Sequence, residues 1–149
     1  MTGSKGARHE RELANRLADE GWAVIRSPAS GSVDRPQPDL LASHPDRRPV
    51  AAELKYASDD RIYLSLTEGR DLCAFATAYD ALAVAIFRWA GDIRYYPRRI
   101  AGLSRTDAGS FVADHDTARA AGWQDGTLPN AVLGINTDAE ADATYGGQR

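Results

Sequence analysis

The order of periodic segments predicts an α/β fold, a central mixed β-sheet of about five strands flanked by helices. Three observations carry this expectation. Leu13, Ala14 and Leu17 form an apolar stripe on a helix spanning Ala7 to Glu20. Leu82 to Phe87 (L-A-V-A-I-F) is apolar without interruption, as a strand buried on both faces requires. Short strand-like runs lie on either side of these segments and of a second helix, giving the order α-β-β-β-α-β-β.

The first helix ends at Gly21, where a left-handed cap fits, and its stripe also takes in Glu10 at position i, with i+3, i+4 and i+7 apolar. A carboxylate there is either paired, protonated or metal-bound on the core side, or complements the helix dipole at the solvent edge. Trp22 to Arg26 reads as a strand, and S-P-A-S-G-S-V-D-R-P-Q-P after it as a loop of the kind that forms active-site flaps. Leu40–Ser43 and Pro49–Tyr56 are expected to pair as a hairpin around H-P-D-R-R. R-I-Y-L-S gives a brief extended piece. Ser65 with Glu68 three residues on forms a capping box, opening a helix to about Tyr79 with Leu72, Phe75, Ala76 and Tyr79 on one face. Ala90-Gly91-Asp92 turns the chain into I-R-Y-Y, a fifth strand expected to stop at Pro97.

Beyond Arg98 the periodicity weakens; F-V-A-D and L-P-N-A-V-L read only as partial packing elements. The expected organisation is a single domain over 1–136, with a C-terminal extension from about residue 98. An acidic tail, 137–149, is expected to be disordered.

The chain has 149 residues and a net charge of −3. Residues 1–106 carry 16 basic and 14 acidic side chains, while 107–149 carry 2 and 7. Only two of the 18 basic residues are lysines, Lys5 and Lys55, so the single lysine beyond the N-terminus falls inside the candidate site. Such an acidic, lysine-poor composition is expected of a halophile; a GC-rich genome is the other explanation. Cys73 alone excludes an intrachain disulfide framework, and no zinc-type Cys/His spacing occurs. With no membrane-length apolar run and no secretory leader, the expectation is a cytoplasmic protein without a membrane partner. Cys73 is expected to be a small core residue, and His9, His44 and His115 to be solvated.

The chemistry concentrates between Gln37 and Lys55. Asp39 heads one apolar run, and Glu53-x-Lys55 lies in the next. Residues two apart on a strand share a face, so Glu53 and Lys55 point together, and pairing of the two runs brings Asp39 beside them. Two acids and an ammonium group around one point suit a divalent cation and phosphodiester hydrolysis.

Several stretches together resemble the archaeal Holliday junction resolvases, members of the PD-(D/E)xK nuclease superfamily. They are K-G-A-R-H-E-R-E-L (from Lys5), G-W-A-V-I-R-S-P-A-S-G-S (from Gly21), P-D-L-L (from Pro38), E-L-K (Glu53–Lys55) and I-Y-L-S before the second helix. The similarity covers roughly Lys5 to Pro97. It implies a restriction-endonuclease-like core and a metal-dependent enzyme that resolves four-way DNA junctions by paired symmetric cuts, leaving 5′-phosphate and 3′-hydroxyl ends.

On this resemblance Glu10, Asp39 and Glu53 are the carboxylates that hold Mg²⁺, for which Mn²⁺ can substitute, with the Leu54 carbonyl as a further ligand. Lys55 orients or activates the attacking water, and Ser30 approaches the scissile phosphate. Lys5, Arg8, Arg11, Arg26, Ser30 and Ser32 are the expected DNA contacts. Phe75 and Tyr79 serve either a dimer or junction contact or ordinary packing on the sheet. The implied partners are junction DNA and a second copy of the chain, with a sliding clamp or recombination helicase as further candidates. Competing readings are another PD-(D/E)xK repair or restriction-like nuclease, and a junction-binding protein without catalysis.

Overall fold

A computed structural model of the chain describes residues 3–27 and 35–123. Ser30, Ser32, the L-P-N-A-V-L segment and the 137–149 tail lie outside the described residues.

Helix α1 (Gly3–Asp19) starts four residues earlier than the sequence pattern indicates. Its core stripe is His9, Leu13 and Leu17, spaced i, i+4 and i+8. Glu10 and Ala14 flank that stripe at intermediate exposure, so Glu10 stands at the margin of the buried face and not within it. The chain leaves the helix through Gly21 at φ 94°, as the left-handed cap requires.

Strands β1 (Ala23–Arg26), β2 (Leu40–His44) and β3 (Arg47–Ala57) form an antiparallel meander. The β2–β3 turn is tighter than the expected H-P-D-R-R loop. Both strands extend to leave only Pro45 and Asp46 between them, and the Asp46 N–H donates to His44 Nδ1 at 3.1 Å. After β4 (Arg61–Leu64), helix α2 (Leu66–Ala78) carries the chain across to β5 (Leu82–Trp89), which pairs parallel with β3. The capping box at Ser65 and Glu68 forms with both reciprocal hydrogen bonds.

The last strand of the main sheet is β6 (Tyr96–Arg99), not I-R-Y-Y. Pro97 sits inside it, opposite Ile86. β6 is an edge strand, paired only with β5, and there a missing N–H is tolerated. The order across the main sheet is β1-β2-β3-β5-β6.

The unbroken apolar run of β5 is explained by its two faces. Ala83, Ala85, Phe87 and Trp89 enter a core with Leu72 and Ala76 of α2, while Leu82, Val84 and Ile86 enter a second core with Leu13 and Leu17 of α1. The two helices therefore cover opposite faces.

A second, three-stranded sheet, β4-β8-β7, builds onto the α2 side through β7 (Ser104–Arg105) and β8 (Phe111–Asp114). F-V-A-D is thus the middle strand of a sheet, with Phe111 and Ala113 turned into the α2-side core. Four residues are too few to display a period against background. A short helix, α3 (His115–Ala120), follows.

Two of the three histidines are not solvated. His9 is 2% exposed and stacks on Tyr56 at 4.4 Å. His115 stacks on Trp89 at 4.6 Å and bonds Asp92 Oδ2 through Nε2 at 2.9 Å. Cys73 is partly buried against the α2-side core. Among the described residues no helix is long and apolar enough to cross a membrane.

Candidate active site

The site lies where β2 and β3 part. Their register ends at Leu40 opposite Ala52, so from Glu53 onward β3 has no β2 partner on that side. The Asp39 carboxylate fills the position instead, its Oδ2 accepting from the Leu54 N–H at 2.8 Å. A strand residue presents its N–H and C=O toward the same side. The Leu54 carbonyl therefore faces the same open edge as Asp39. The chain entering Asp39 is fixed from β1: the Ser27 N–H donates to the Asp39 carbonyl at 3.0 Å, and the Ser27 hydroxyl to the Pro38 carbonyl.

Glu53 and Lys55 project together from β3 onto the α2 face, as the alternation predicts. Burial raises the Glu53 carboxyl, and the Asp39 charge adds to this, so that it titrates at about 8. Burial also raises Asp39, although the Leu54 N–H, the Lys55 charge and a hydrogen bond with Glu53 pull the other way. The two carboxyls thus share one buried site that disfavours negative charge on both.

Glu10 reaches the same region from α1. Its carboxyl is raised by burial and by Asp39, against the pull of Arg26, whose Nη2 lies 3.5 Å from Glu10 Oε1 and 3.2 Å from the Ala7 carbonyl. Among the described residues no three His, Cys, Asp or Glu side chains stand close enough to hold a metal ion as placed. The structure brings Asp39 and Glu53 together, with Glu10 near them but engaged by Arg26.

Lys55 has a partner the sequence did not point to. Its Nζ meets Glu68 Oε2 at 2.6 Å. Burial alone would raise the Glu68 carboxyl, but hydrogen bonds from Lys55 and Ser65 outweigh it and hold it below the ordinary range. The Ser65-x-x-Glu68 signal was legible only as a cap, because a cap uses one carboxylate oxygen and says nothing of the other. A cavity beside the pair, about 100 Å³, is lined by Pro36, Gln37, Glu53, Glu68, Asp71, Leu72 and Phe75. Asp71 had no motif to mark it, and Gln37 entered only as the first residue of the Gln37–Lys55 stretch.

Lys5, Arg8 and Arg11 are exposed along α1 at spacings of three. Phe75 and Tyr79 stack at 4.9 Å; Phe75 packs partly on the α2-side core, whereas Tyr79 is 57% exposed. Phe75 therefore packs on the sheet, and Tyr79 faces outward.

The family described as archaeal Holliday junction resolvase (Hjc) matches residues 1–129. The chain is 31% identical over 118 residues to the crossover junction endodeoxyribonuclease Hjc of Sulfolobus acidocaldarius, covering 78% of this chain and 81% of that protein. It is 36% identical over 109 residues to the protein of the same name from Archaeoglobus fulgidus, covering 70% and 75%. The solved structure of Archaeoglobus fulgidus Hjc, a Holliday junction resolvase from an archaeal hyperthermophile, superimposes with a TM-score of 0.68 at 28% identity. That match covers 76% of this chain and 92% of the other. Motif, sheet order and overall similarity agree, and the chain belongs to the archaeal Holliday junction resolvases.

Proposed function

We propose that this resolvase cuts four-way DNA junctions by metal-dependent phosphodiester hydrolysis, with Asp39, Glu53 and Glu10 holding Mg²⁺ and Lys55 acting on the attacking water. The observation that carries this is the pair of buried carboxyls, Asp39 and Glu53, brought together at the open edge of β3, with Asp39 fixed by the Leu54 N–H at 2.8 Å and the Lys55 ammonium beside them. Two carboxyls whose ionisation is disfavoured chiefly by burial gain from a divalent cation that offsets their charge. The donors are all hard oxygens, as Mg²⁺ prefers, with the Leu54 carbonyl turned to the same edge. When bound, the cation supplies positive charge against the charge developing on the phosphate and makes water a better nucleophile.

The chain's own groups do the rest. Asp39 and Glu53 must both be ionised, and Glu10 must turn from Arg26 to join them. The Lys55 ammonium faces the attacking water and the phosphate oxygens. Arg26, released from Glu10, can then take a backbone phosphate, with Lys5, Arg8 and Arg11 extending the basic track along α1. Ser30 and Ser32 complete the contact in this reading.

A four-way junction needs two symmetric cuts, which favours a two-fold dimer, and the outward Tyr79 is a candidate contact for it or for the junction. A clamp or helicase would be a further partner. The acidic, lysine-poor composition supports work in concentrated salt. Junction binding is then expected to persist into molar KCl with a shallow slope of log affinity against log salt, and a steep slope with complete loss would refute this.

The test is cleavage of a mobile four-way junction beside linear duplex and flap DNA, with Mg²⁺ or with EDTA. Paired cuts in the junction alone, abolished by EDTA, are expected. Equal cutting of duplex or flap would favour a broader PD-(D/E)xK nuclease, and cleavage in EDTA would remove the metal from the reading.

A further inference from the structure

We propose that Glu68 is a positioning residue of this active site: its carboxylate, fixed by the N-terminal cap of α2, sets where the Lys55 ammonium stands. The proposal rests on the catalytic reading of Lys55. Glu68 uses its two oxygens for two tasks. Oε1 accepts from the Ser65 N–H at 2.9 Å, which with the return bond from Glu68 N–H to Ser65 Oγ at 3.0 Å locks the side chain to the first turn of the helix. Oε2 then accepts from Lys55 Nζ at 2.6 Å. The helix N-terminus favours the anion.

A lysine ammonium rides on four rotatable carbons and needs an external fix to stay in place. The 2.6 Å charge-assisted bond to an immobilised acceptor supplies it. Glu68 also decides where the ammonium is not. Lys55 interacts electrostatically with Asp39 and Glu53 as well. Without Glu68 those two carboxylates are its remaining nearby anions, and an ammonium drawn between them occupies the place proposed for the cation. Glu68 thus holds the lysine beside the carboxylate pair, where it can meet water and phosphate, and keeps it out of the pair itself.

The experiment is single-turnover cleavage of a four-way junction at saturating Mg²⁺, with junction affinity in EDTA and thermal stability measured on the same proteins. Glu68→Ala is expected to slow cleavage about 100-fold, the scale on which a displaced catalytic group acts, while junction affinity stays unchanged. Glu68→Gln keeps an acceptor for the ammonium and recovers much of the rate. Ser65→Ala removes the Oγ bond but keeps the Ser65 N–H bond to Glu68 Oε1, so it lowers stability and slows cleavage far less than Glu68→Ala does. Lys55→Ala with Glu68→Ala is no slower than Lys55→Ala alone, because the two residues act as one unit. Wild-type cleavage by Glu68→Ala, an equal rate loss in Ser65→Ala, or additive losses in the double variant each overturn the positioning role. A Lys55→Ala protein that cleaves normally overturns the role of Lys55 itself, an outcome distinguishable from the others.

Discussion

The two flanks of the Asp39–Glu53 pair are built to different tolerances. On the α1 side Arg26 and Glu10 approach only to 3.5 Å. On the α2 side Lys55 and Glu68 close to 2.6 Å, and a capping box immobilises the acceptor. A contact at 3.5 Å lies beyond good hydrogen-bond range and costs little to break, while the shorter one is a full charge-assisted bond. One flank can rearrange at little cost, and the other holds the Lys55 ammonium in place. The site is preorganised on one side and adjustable on the other.

That contrast can be attacked at several points. The largest expected effect comes from the centre and the fixed flank. Glu53→Gln and Lys55→Ala should each reduce junction cleavage by roughly 10²–10³-fold, the scale of losing one electrostatic contributor to a transition state. Junction binding should survive in gel-shift assays, and substantial cleavage by either variant would remove that residue from the chemistry.

The adjustable flank should show a smaller and different response. Arg26→Ala should weaken junction binding and reduce the slope of log affinity against log salt by about one, as for a single phosphate contact. It should also ease metal binding in the absence of DNA, because Glu10 loses its competitor; calorimetry with Mg²⁺ alone checks this. No change in either quantity would mean that the ion pair is permanent.

The pH response reports on the pair itself. Glu53 titrates at about 8 in the folded protein, above its ordinary value of 4.5. The folded state therefore binds the proton more tightly than the unfolded chain. The associated stability is complete below about 4.5 and is lost as pH rises through about 8. In EDTA, melting temperature should fall between pH 5 and 9, and Glu53→Gln should flatten that fall. An unchanged pH dependence in the variant would assign the effect elsewhere.

The smallest effect concerns stability alone. Ser65→Ala should cost about 1 kcal/mol, as removal of an N-cap side chain usually does. Thermal denaturation tests this, and a much larger loss would mean that Ser65 supports more than the helix end.

The sequence was most informative where one local rule had one consequence. The β5 run, the capping box, the Gly21 cap and the Asp39/Glu53–Lys55 arrangement all follow from spacing and residue type. Pro97 misled because edge position is a property of the sheet, invisible in the strand's own residues. His9 misled because a three-to-four spacing fits Glu10, Leu13, Ala14 and Leu17 as well as His9, Leu13 and Leu17. Only the crossing of α1 over β3, with Tyr56 beneath it, decides between them. Glu68 was visible as a cap, and its second role depends on how closely α2 lies against β3. The small sheet was missed because its middle strand is four residues long and is joined to β4 across almost fifty residues.

Gly69, next to Glu68, touches that small sheet. A Cβ there would lie 2.2 Å from Phe111 Cε2, a distance no side chain can accept without movement. Helix α2 therefore rests on β8 at the one residue where its backbone can come so near. The depth of that seat sets the height of the neighbouring carboxylate over Lys55. A bulkier side chain at 69 would tilt the helix and misplace the lysine without altering any charged group. On the proposed reading of Lys55, the accuracy of the site is thus inherited from an apolar contact on another sheet, and substitutions in β8 are expected to slow cleavage.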